Sequence, residues 1–291
     1  MKNNWCLVLV VFGDLYSTSD VNHLVESVLK FSKGCDEIVL ITDKVREHLR
    51  PEIRQKSFPD FFKRDLFFRP GYVAKLSLFS KNVLPVDKTC VYLDLDTVVF
   101  GDIGKIANLV SSRDDMFILP SVFWEISAFT RLLTKLTFGR FYKVGNSSIM
   151  AYHSGGELNI SAEFEKLFIQ DRDQNDAKFK IDDIFISWCA RYIIKPVPRS
   201  LGVMFRKELL ARSRMILWLR ANLWFSNKRR KNLVAVTLNG VDLKPERLLA
   251  LEDGKLFADH KGRFGYWDDT TTSGLKTKIL NSLGSTDHYP K

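Results

Sequence analysis

Two aspartates separated by one residue, Asp94 and Asp96, are of the type and spacing that could do chemistry. They lie between two short apolar runs, residues 90–93 and 98–100. Short β-branched and aromatic runs closed by Gly or Asp are typical of buried strands. On an extended chain, residues two apart point the same way. The pattern therefore predicts two carboxylates on one side of a strand end.

Two carboxylates held this close repel each other, and burying them unpaired is costly. A divalent cation would offset the repulsion, and carboxylate oxygens are ligands that suit Mg²⁺ and Mn²⁺. Mg²⁺ in particular takes few protein carboxylates and completes its coordination with water and phosphate oxygens. The pair thus favours a metal site for a phosphate-bearing ligand. The alternative is a strand-end turn whose aspartates cap backbone amides.

The elements before this segment predict an α/β fold. Residues 5–12 form a nearly continuous apolar run, as in a central parallel strand, and residues 21–29 carry apolar positions at helical spacing. Residues 37–42 complete a β-α-β order with a right-handed crossover. Ligands bind beyond the carboxyl ends of such strands. That rule places residues 13–16 beside Thr42-Asp43 at one edge of the sheet.

The segment YLDLDTVVFGDI, residues 92–103, resembles the D-x-D segment of nucleotide-sugar-dependent glycosyltransferases with the GT-A fold. The likeness is greatest to glycogenin-like and bacterial capsule or lipopolysaccharide sugar transferases, and it covers about residues 5–198 in ordered fragments. The resemblance implies a three-layer α/β/α fold with a mostly parallel central sheet. It also implies that Asp94 and Asp96 bind Mn²⁺ or Mg²⁺, which bridges the diphosphate of the sugar donor.

Three further fragments match residues that bind the donor in this family. The resemblance implies that Tyr16 contacts a uracil-type base and that Asp43 contacts the nucleoside. Tyr16 could equally be a half-buried surface aromatic. Lys75 matches a lysine that faces the metal and the diphosphate, where a cation would offset the charge of Asp94 and Asp96. The alternative for Lys75 is a solvated position on a helix face.

Two later segments match residues near the donor sugar. Asn146 and Ser147 correspond to an Asn-Ser pair that opens a strand along the sugar. Asp182 and Asp183 correspond to a Gln/Asp-Asp pair near the reacting sugar, and both are candidate catalytic residues. Asp183 matches the family's second Asp, whereas Asp182 replaces the first residue of the pair. A favourable interaction with a helix dipole is the alternative for both.

The third metal ligand is left open. Many relatives carry a His at the end of a late strand, followed by Gly and Lys-Pro. This chain has Gly240 and Lys244-Pro245, but Asn239 or Thr237 stands where the His would be. His260 offers a second alignment, although its surroundings are more typical of a hairpin turn.

The net charge of +10 is concentrated in one segment. Residues 199–231 contain ten Lys or Arg and one Glu, together with Trp218 and Trp224. Tryptophan among basic residues is typical of membrane-interface anchors, and each cation near an anionic leaflet contributes about 1 kcal/mol. We therefore expect this segment to contact an anionic membrane surface. The alternative is an insert packed on the main domain with a solvated basic rim.

The chain is expected to have two parts. Residues 1–198 form the nucleotide-sugar-binding GT-A domain, and residues 199–291 form a basic and aromatic extension with C-terminal strands and a tail, packed on the same domain. No apolar run approaches the ~20 residues needed to span a bilayer. The four cysteines are scattered without a C-x-x-C pair. These features favour the cytoplasm, with peripheral attachment to the inner face of the membrane.

The function expected is a metal-dependent glycosyltransferase of the hexosyltransferase type. It would transfer a sugar from a nucleotide-diphosphate sugar, a UDP-sugar, to a glycan, lipid-linked or envelope acceptor, with the resemblance favouring retention of configuration. One alternative is a sugar nucleotidyltransferase, although the Gly-rich basic loop of that class is missing after the first strand. Another is a non-enzymatic membrane-surface binding module. Nucleic acid is not an expected partner, because RNA-type aromatic motifs are lacking.

Overall fold

The computed structural model describes residues 4–69, 73–121, 127–170, 180–238, 240 and 243–284. The chain divides into two compact units: Met1–Asn22, Gly34–Leu95 and Gly104–Val197 form the first, and His23–Lys33, Asp96–Ile103 and Pro198–Lys291 form the second. The division passes between Leu95 and Asp96. The two aspartates of the D-x-D segment therefore belong to different units.

Strands and helices are interspersed along the chain, as the sequence predicts for an α/β fold. The strands are β1 (Trp5–Val11), β2 (Cys35–Thr42), β3 (Ile53–Ser57), β4 (Thr89–Leu93), β5 (Thr97–Val99), β6 (Met116–Pro120), β7 (Gly145–His153), β8 (Ile194–Pro196), β9 (Gly202–Met204), β10 (Ala235–Thr237), β11 (Leu256–Ala258) and β12 (Phe264–Tyr266).

The helices are mostly short, and three 3₁₀ segments join them: Asp60–Lys63, Asp65–Phe68 and Val73–Phe79. Within the described ranges, no helix is long and apolar enough to cross a membrane. The α-helices are α1 (Thr18–Phe31), α2 (Gly104–Ala107), α3 (Ala128–Leu136), α4 (Ile160–Gln170), α5 (Asp182–Cys189), α6 (Phe205–Leu209), α7 (Arg214–Asn222), α8 (Trp224–Asn232), α9 (Pro245–Leu249), α10 (Asp269–Thr272) and α11 (Leu275–Leu283).

A seven-stranded sheet in the order β3-β2-β1-β4-β7-β6-β8 runs through the first unit. Its pairs are parallel except those of β7, which runs antiparallel to both β4 and β6. β1 is almost wholly buried and apolar because it lies between β2 and β4. The predicted α/β fold with a mostly parallel central sheet is confirmed.

Aromatic side chains fix the helices around this sheet. Phe164 of α4 stacks on Phe62 at a centroid distance of 6.1 Å and meets Phe185 of α5 edge-on at 5.0 Å. Phe67 meets Phe168 of α4 at 5.1 Å. Aromatic pairs of this kind add about 0.5–1.5 kcal/mol each beyond the area that they bury. The first turn of α5 is therefore held by a rigid apolar core.

The second unit contains a smaller sheet in the order β5-β10-β9. β10 is antiparallel to β5 and parallel to β9, while β11 and β12 form an antiparallel hairpin. Trp267, which is fully buried, packs with Phe205 and Phe257 in the apolar core of this unit. The hairpin expected around His260 is present as β11 and β12.

A buried ion cluster ties α6 to α8 in the second unit. Glu208 is 5% exposed and accepts hydrogen bonds at 2.7 Å from Arg229 and from Arg230. Arg230 is 2% exposed and also donates to the Thr271 carbonyl oxygen at 2.6 Å. A buried carboxylate is tolerated when it is paired and hydrogen-bonded in this way. Two cations of the basic run 228–231 therefore serve the fold.

Candidate functional site

A buried lysine joins three elements of the first unit. The Lys75 side chain is 8% exposed, and its Nζ lies 2.9 Å from Asp94 Oδ1 and 3.0 Å from Asp182 Oδ2. The same Nζ donates to Ser147 Oγ at 2.9 Å. Two carboxylates and one hydroxyl thus lie within 3.0 Å of the ammonium. Lys75 is therefore not the solvated helix residue that the sequence left as an alternative.

The lysine keeps its charge in this setting. Burial lowers the pKa of Lys75, but the negative charges of Asp182 and Asp94 raise it, and the result lies well above the usual value. Burial, followed by the charge of Asp94, also raises the pKa of Tyr92 well above its usual value. Tyr92 therefore stays protonated and donates its hydroxyl hydrogen to Asp94 Oδ1.

Asp94 has one carboxylate oxygen to spare. Tyr92 and Lys75 both contact Oδ1, and no described side chain donates a hydrogen bond to Oδ2. The Asp94 side chain is 23% exposed, and its backbone N–H donates to the Ser148 carbonyl oxygen at 2.9 Å. One face of this carboxylate is thus held in place while the other can take a ligand.

The start of β7 and the start of α5 complete the arrangement. Ser147 Oγ donates to Asp182 Oδ2 at 2.6 Å, and Ser147 N–H donates to Asp183 Oδ1 at 2.6 Å. Asn146 Nδ2 donates to Asp183 Oδ2 at 3.3 Å. The structure therefore brings together residues that the sequence selected from four separate segments. We call them the Lys75 cluster: Lys75, Asp94, Asn146, Ser147, Asp182 and Asp183.

The two aspartates of α5 differ in environment. Asp182 is 4% exposed, and its contacts with Lys75 and Ser147 hold it inside the protein. Asp183 is half-buried, and burial, with the charge of Asp182 second, raises its pKa to about 6. A carboxyl group with such a pKa can exchange a proton near neutral pH, as general acids and bases do.

Asp43 and Tyr16 lie around a loop at the end of β1. Asp43 Oδ2 accepts the Gly13 N–H at 2.9 Å, and Asp43 Oδ1 lies 3.2 Å from Arg46 Nη2. Buried Arg46 also donates to the carbonyl oxygens of Gly13, at 2.8 Å, and of Tyr16, at 3.2 Å. Sequence reasoning missed Arg46, for which the available signal was a cation three residues after a strand-end aspartate. The loop that presents Tyr16 is therefore braced by an ion pair.

The second unit places Asp96 beside Thr237. Thr237 Oγ1 donates to Asp96 Oδ1 at 3.2 Å, and the Leu238 N–H donates to the Asp96 carbonyl oxygen at 2.8 Å. Leu95 and Asp96 form a turn between β4 and β5. The expectation of an extended chain through the D-x-D segment is therefore wrong, because the chain turns there to enter the β5–β10 pair.

The structure gives no contact between Asp96 and the other candidates for a third metal ligand among the described residues. His260 is exposed at the turn of the β11–β12 hairpin, and Asn239 is not among the described residues. In the described part of the chain, no three His, Cys, Asp or Glu side chains are grouped so that they could hold a metal.

The chain has a GT-A-type fold, and the solved structures that it is similar to are glycosyltransferases. The match to the galactosyltransferase LgtC in complex with donor and acceptor sugar analogues covers 82% of this chain and 88% of that one, with 12% identity and a TM-score of 0.55. The match to the bifunctional glycosyltransferase WbbM covers 99% of this chain and 50% of that one, with 14% identity and a TM-score of 0.54.

A third match is the glycosyltransferase GlyE of Streptococcus pneumoniae, which covers 83% of this chain and 56% of that one, with 11% identity and a TM-score of 0.53. No protein-family model matches this chain, and neither does any curated protein sequence. Because the sequence identities are only 11–14%, the structural matches establish the fold alone.

The first test concerns Lys75. We expect Lys75→Met to lower the free energy of unfolding by about 3–5 kcal/mol at pH 7, because it leaves Asp94 and Asp182 without their cation. Exposed Lys81 provides the control, and Lys81→Met should change stability by less than about 0.5 kcal/mol. Urea titration of the three proteins measures the difference. Equal stability of the two variants would contradict the assigned ion pairs.

The second test uses the pKa of Asp183. Its folded-state value of about 6 lies above the ordinary 3.8, so the folded protein binds the proton more tightly than the unfolded chain. Stability from this group is therefore full below about pH 4 and lost as the pH rises through about 6. We expect the parent to gain about 1 kcal/mol over Asp183→Asn between pH 7 and pH 5. Urea titration across this range measures it.

The control for the pH series is Asp114→Asn, because Asp114 is exposed. Its stability should follow that of the parent at every pH. If the parent and Asp183→Asn also gave parallel curves, the raised pKa of Asp183 would be wrong.

Proposed function

We propose that this protein is a glycosyltransferase that takes a sugar from a nucleotide-diphosphate donor with the help of a divalent metal ion. The observation that supports this most directly is the Lys75 cluster, which gathers carboxylates at the carboxyl end of β4 in a chain with the GT-A fold. In open α/β sheets, ligands bind at this edge. The D-x-D segment follows β4 at once.

The charge balance of the cluster fits a cation ligand. Asp94, Asp182 and Asp183 face a single ammonium, that of Lys75, so negative charge is in excess when all three carboxylates are ionised. The spare Oδ2 of Asp94 is a hard oxygen donor of the kind that Mg²⁺ and Mn²⁺ prefer. We propose that Asp94 and Asp96, which are separated by one residue in the chain, hold the ion, and that Thr237, which donates to Asp96, is a candidate for the third ligand.

The remaining residues are assigned to the donor. Tyr16 would contact the base, a uracil, and Asp43 the nucleoside, on the loop braced by Arg46. Asn146 and Ser147 would lie along the sugar. Lys75 would add a second cation beside the diphosphate, held in place by Asp94, Asp182 and Ser147.

A cation held by Asp94 and Asp96 would supply stabilisation for the negative charge that develops on the departing nucleotide diphosphate. The chain itself supplies the carboxylates around the reacting sugar. Asp183 is the proposed catalytic residue, because its half-buried carboxyl group can exchange a proton near neutral pH. Asp182 is proposed to hold Ser147 and Lys75 in place, since it is buried between them. The acceptor would be a glycan or a lipid-linked or envelope sugar.

A sugar nucleotidyltransferase is the alternative enzyme class. That chemistry requires a Gly-rich basic loop to hold a nucleoside triphosphate after the first strand. The loop here is short and is closed by Asp43 and Arg46 on the Gly13 backbone. The site therefore favours the use of a sugar nucleotide over its synthesis.

The third test is a binding measurement. We expect the parent to bind UDP only in the presence of Mn²⁺, and Asp94→Asn to weaken that binding by about 100-fold or more, because it removes a ligand charge. Exposed Asp114→Asn is the control and should bind like the parent. Titration calorimetry with and without Mn²⁺ distinguishes the outcomes. If Asp94→Asn bound UDP with Mn²⁺ as tightly as the parent, the assignment of Asp94 as a metal ligand would be wrong.

We also propose that α7 and α8 contact an anionic membrane on the cytoplasmic side. Trp218 and Trp224 are 63% and 72% exposed, and Met215 is 67% exposed. Exposed aromatic and apolar residues among cations are typical of interfacial helices. Arg229 and Arg230 are bound to Glu208. The cations that we expect to meet lipid are therefore the exposed ones of this segment: Arg212, Arg214, Lys228 and Lys231.

The fourth test therefore leaves Arg229 and Arg230 intact. Replacing exposed Arg212, Arg214, Lys228 and Lys231 by Gln should remove the salt-sensitive part of binding to anionic vesicles. Binding through the exposed tryptophans should persist at high salt. Vesicle sedimentation over a salt series measures both parts. A parent protein that ignored anionic vesicles at low salt would rule out this contact.

A further inference from the structure

Helix α3, in the first unit, faces solvent with its apolar side. Phe129, Leu132 and Leu136 recur at helical spacing on one face, and they are 67%, 52% and 65% exposed. The opposite face carries threonines. Thr134 is 4% exposed and donates its hydroxyl hydrogen to the Thr130 carbonyl oxygen at 2.9 Å. A helix that served only this fold would bury the first face and expose the second.

The turn after α3 adds two aromatic rings. Phe138 is 88% exposed and adopts a left-handed backbone conformation with φ of 52°. Bulky residues rarely adopt this conformation, and here it leaves the ring in solvent. Phe141 is 36% exposed. We call Phe129, Leu132, Leu136, Phe138 and Phe141 the α3 surface.

The chain segment that carries the α3 surface has charges of one sign. Residues 127–145 contain Arg131, Lys135, Arg140 and Lys143 and no Asp or Glu. Lys143 Nζ lies 4.5 Å from the centroid of the Phe141 ring. A second copy of this chain would bring its own cations against these four, so self-association through this surface is disfavoured. An anionic partner would satisfy the cations and cover the apolar residues at the same time.

We propose that the α3 surface rests on an anionic lipid bilayer. The phenylalanines and leucines would enter the boundary between headgroups and acyl chains, and the four cations would meet lipid phosphates. Exposed apolar residues that are ringed by charge mark interaction sites, and aromatic rings with Lys and Arg fit a membrane surface. This contact is separate from the one proposed for α7 and α8, because it lies in the first unit and rests on different residues.

The α3 surface lies close in sequence to the Lys75 cluster, which suggests how a membrane contact would serve the proposed reaction. Only Val144 and Gly145 separate Lys143 from Asn146 of the Lys75 cluster. A lipid-linked acceptor could therefore keep its lipid in the bilayer while its sugar reaches the cluster. This last step rests on the proposed function, whereas the lipid contact itself does not.

The fifth test compares two triple variants of the full chain. The α3 variant carries Phe129→Ser, Leu132→Ser and Leu136→Ser. The control carries Leu66→Ser, Val86→Ser and Ile169→Ser, which are also exposed apolar residues of the first unit. Each variant is made in the parent and in the background that lacks the four second-unit cations. Circular dichroism establishes that all of them fold.

Sedimentation with phosphatidylglycerol vesicles gives the result. We expect the α3 variant to bind at least about ten-fold more weakly than the parent, because three apolar side chains no longer enter the lipid. The control should stay within about two-fold of the parent. Parental binding by the α3 variant overturns the proposal. So does loss of self-association in that variant with unchanged vesicle binding, which would make the α3 surface an interface between copies.

UDP binding in the presence of Mn²⁺, without vesicles, separates this proposal from the proposed function. The α3 variant should bind UDP as the parent does, since it leaves the Lys75 cluster intact. If the α3 variant lost vesicle binding and the parent bound no nucleotide, the lipid contact would stand and the proposed function would fall. If the parent bound nucleotide and vesicle binding did not depend on α3, the proposed function would stand and the lipid contact would fall.

Discussion

The first unit depends on one buried cation. Lys75 binds two carboxylates, Asp94 and Asp182, that arrive on different elements, together with the hydroxyl of Ser147. Any one of these charges, buried alone, would cost several kcal/mol. Their mutual pairing makes burial tolerable only when β4, β7, α5 and the 3₁₀ segment Val73–Phe79 are all in place. The cluster therefore requires the completed fold, and it cannot form piecewise.

The apolar core holds this arrangement in place. The 3₁₀ segment that carries Lys75 buries the side chains on both sides of it, Ala74 and Leu76. The phenylalanines of α4 and α5 lock the helix that carries Asp182. Asp182 and Asp183 are consecutive on this helix, and the pKa of Asp183 is raised first by burial and second by the charge of Asp182.

The sequence predicted the elements whose signal is local. β1, β2, β4 and the β11–β12 hairpin follow from apolar runs and turn residues, and each is present. The residues of the Lys75 cluster were selected through their resemblance to one family, and the structure brings them together. The turn at residues 95–96 was missed, because it follows from the pairing of β5 with β10, more than a hundred residues later. Arg46 was missed for a similar reason, since its partners lie on another loop.

The pattern of charged and apolar residues along the sequence did not predict which of these side chains are exposed to solvent. The basic run 228–231 has the composition of a fully exposed segment, yet Arg229 and Arg230 form ion pairs with the buried carboxylate of Glu208 in the second unit. Conversely, residues 127–143 have the pattern of an ordinary amphipathic helix and turn, but the structure turns the apolar face outward.

Both outcomes depend on contacts distant in sequence. In the second unit, such contacts remove cations from the surface. In the first, α3 leaves Phe129, Leu132 and Leu136 in solvent, so the free energy of covering them is not gained on folding. That free energy remains available to a partner. A partner that covers α3 therefore stabilises the bound protein relative to the free protein. Where the protein is found would then depend on the chemistry of the surface that covers α3.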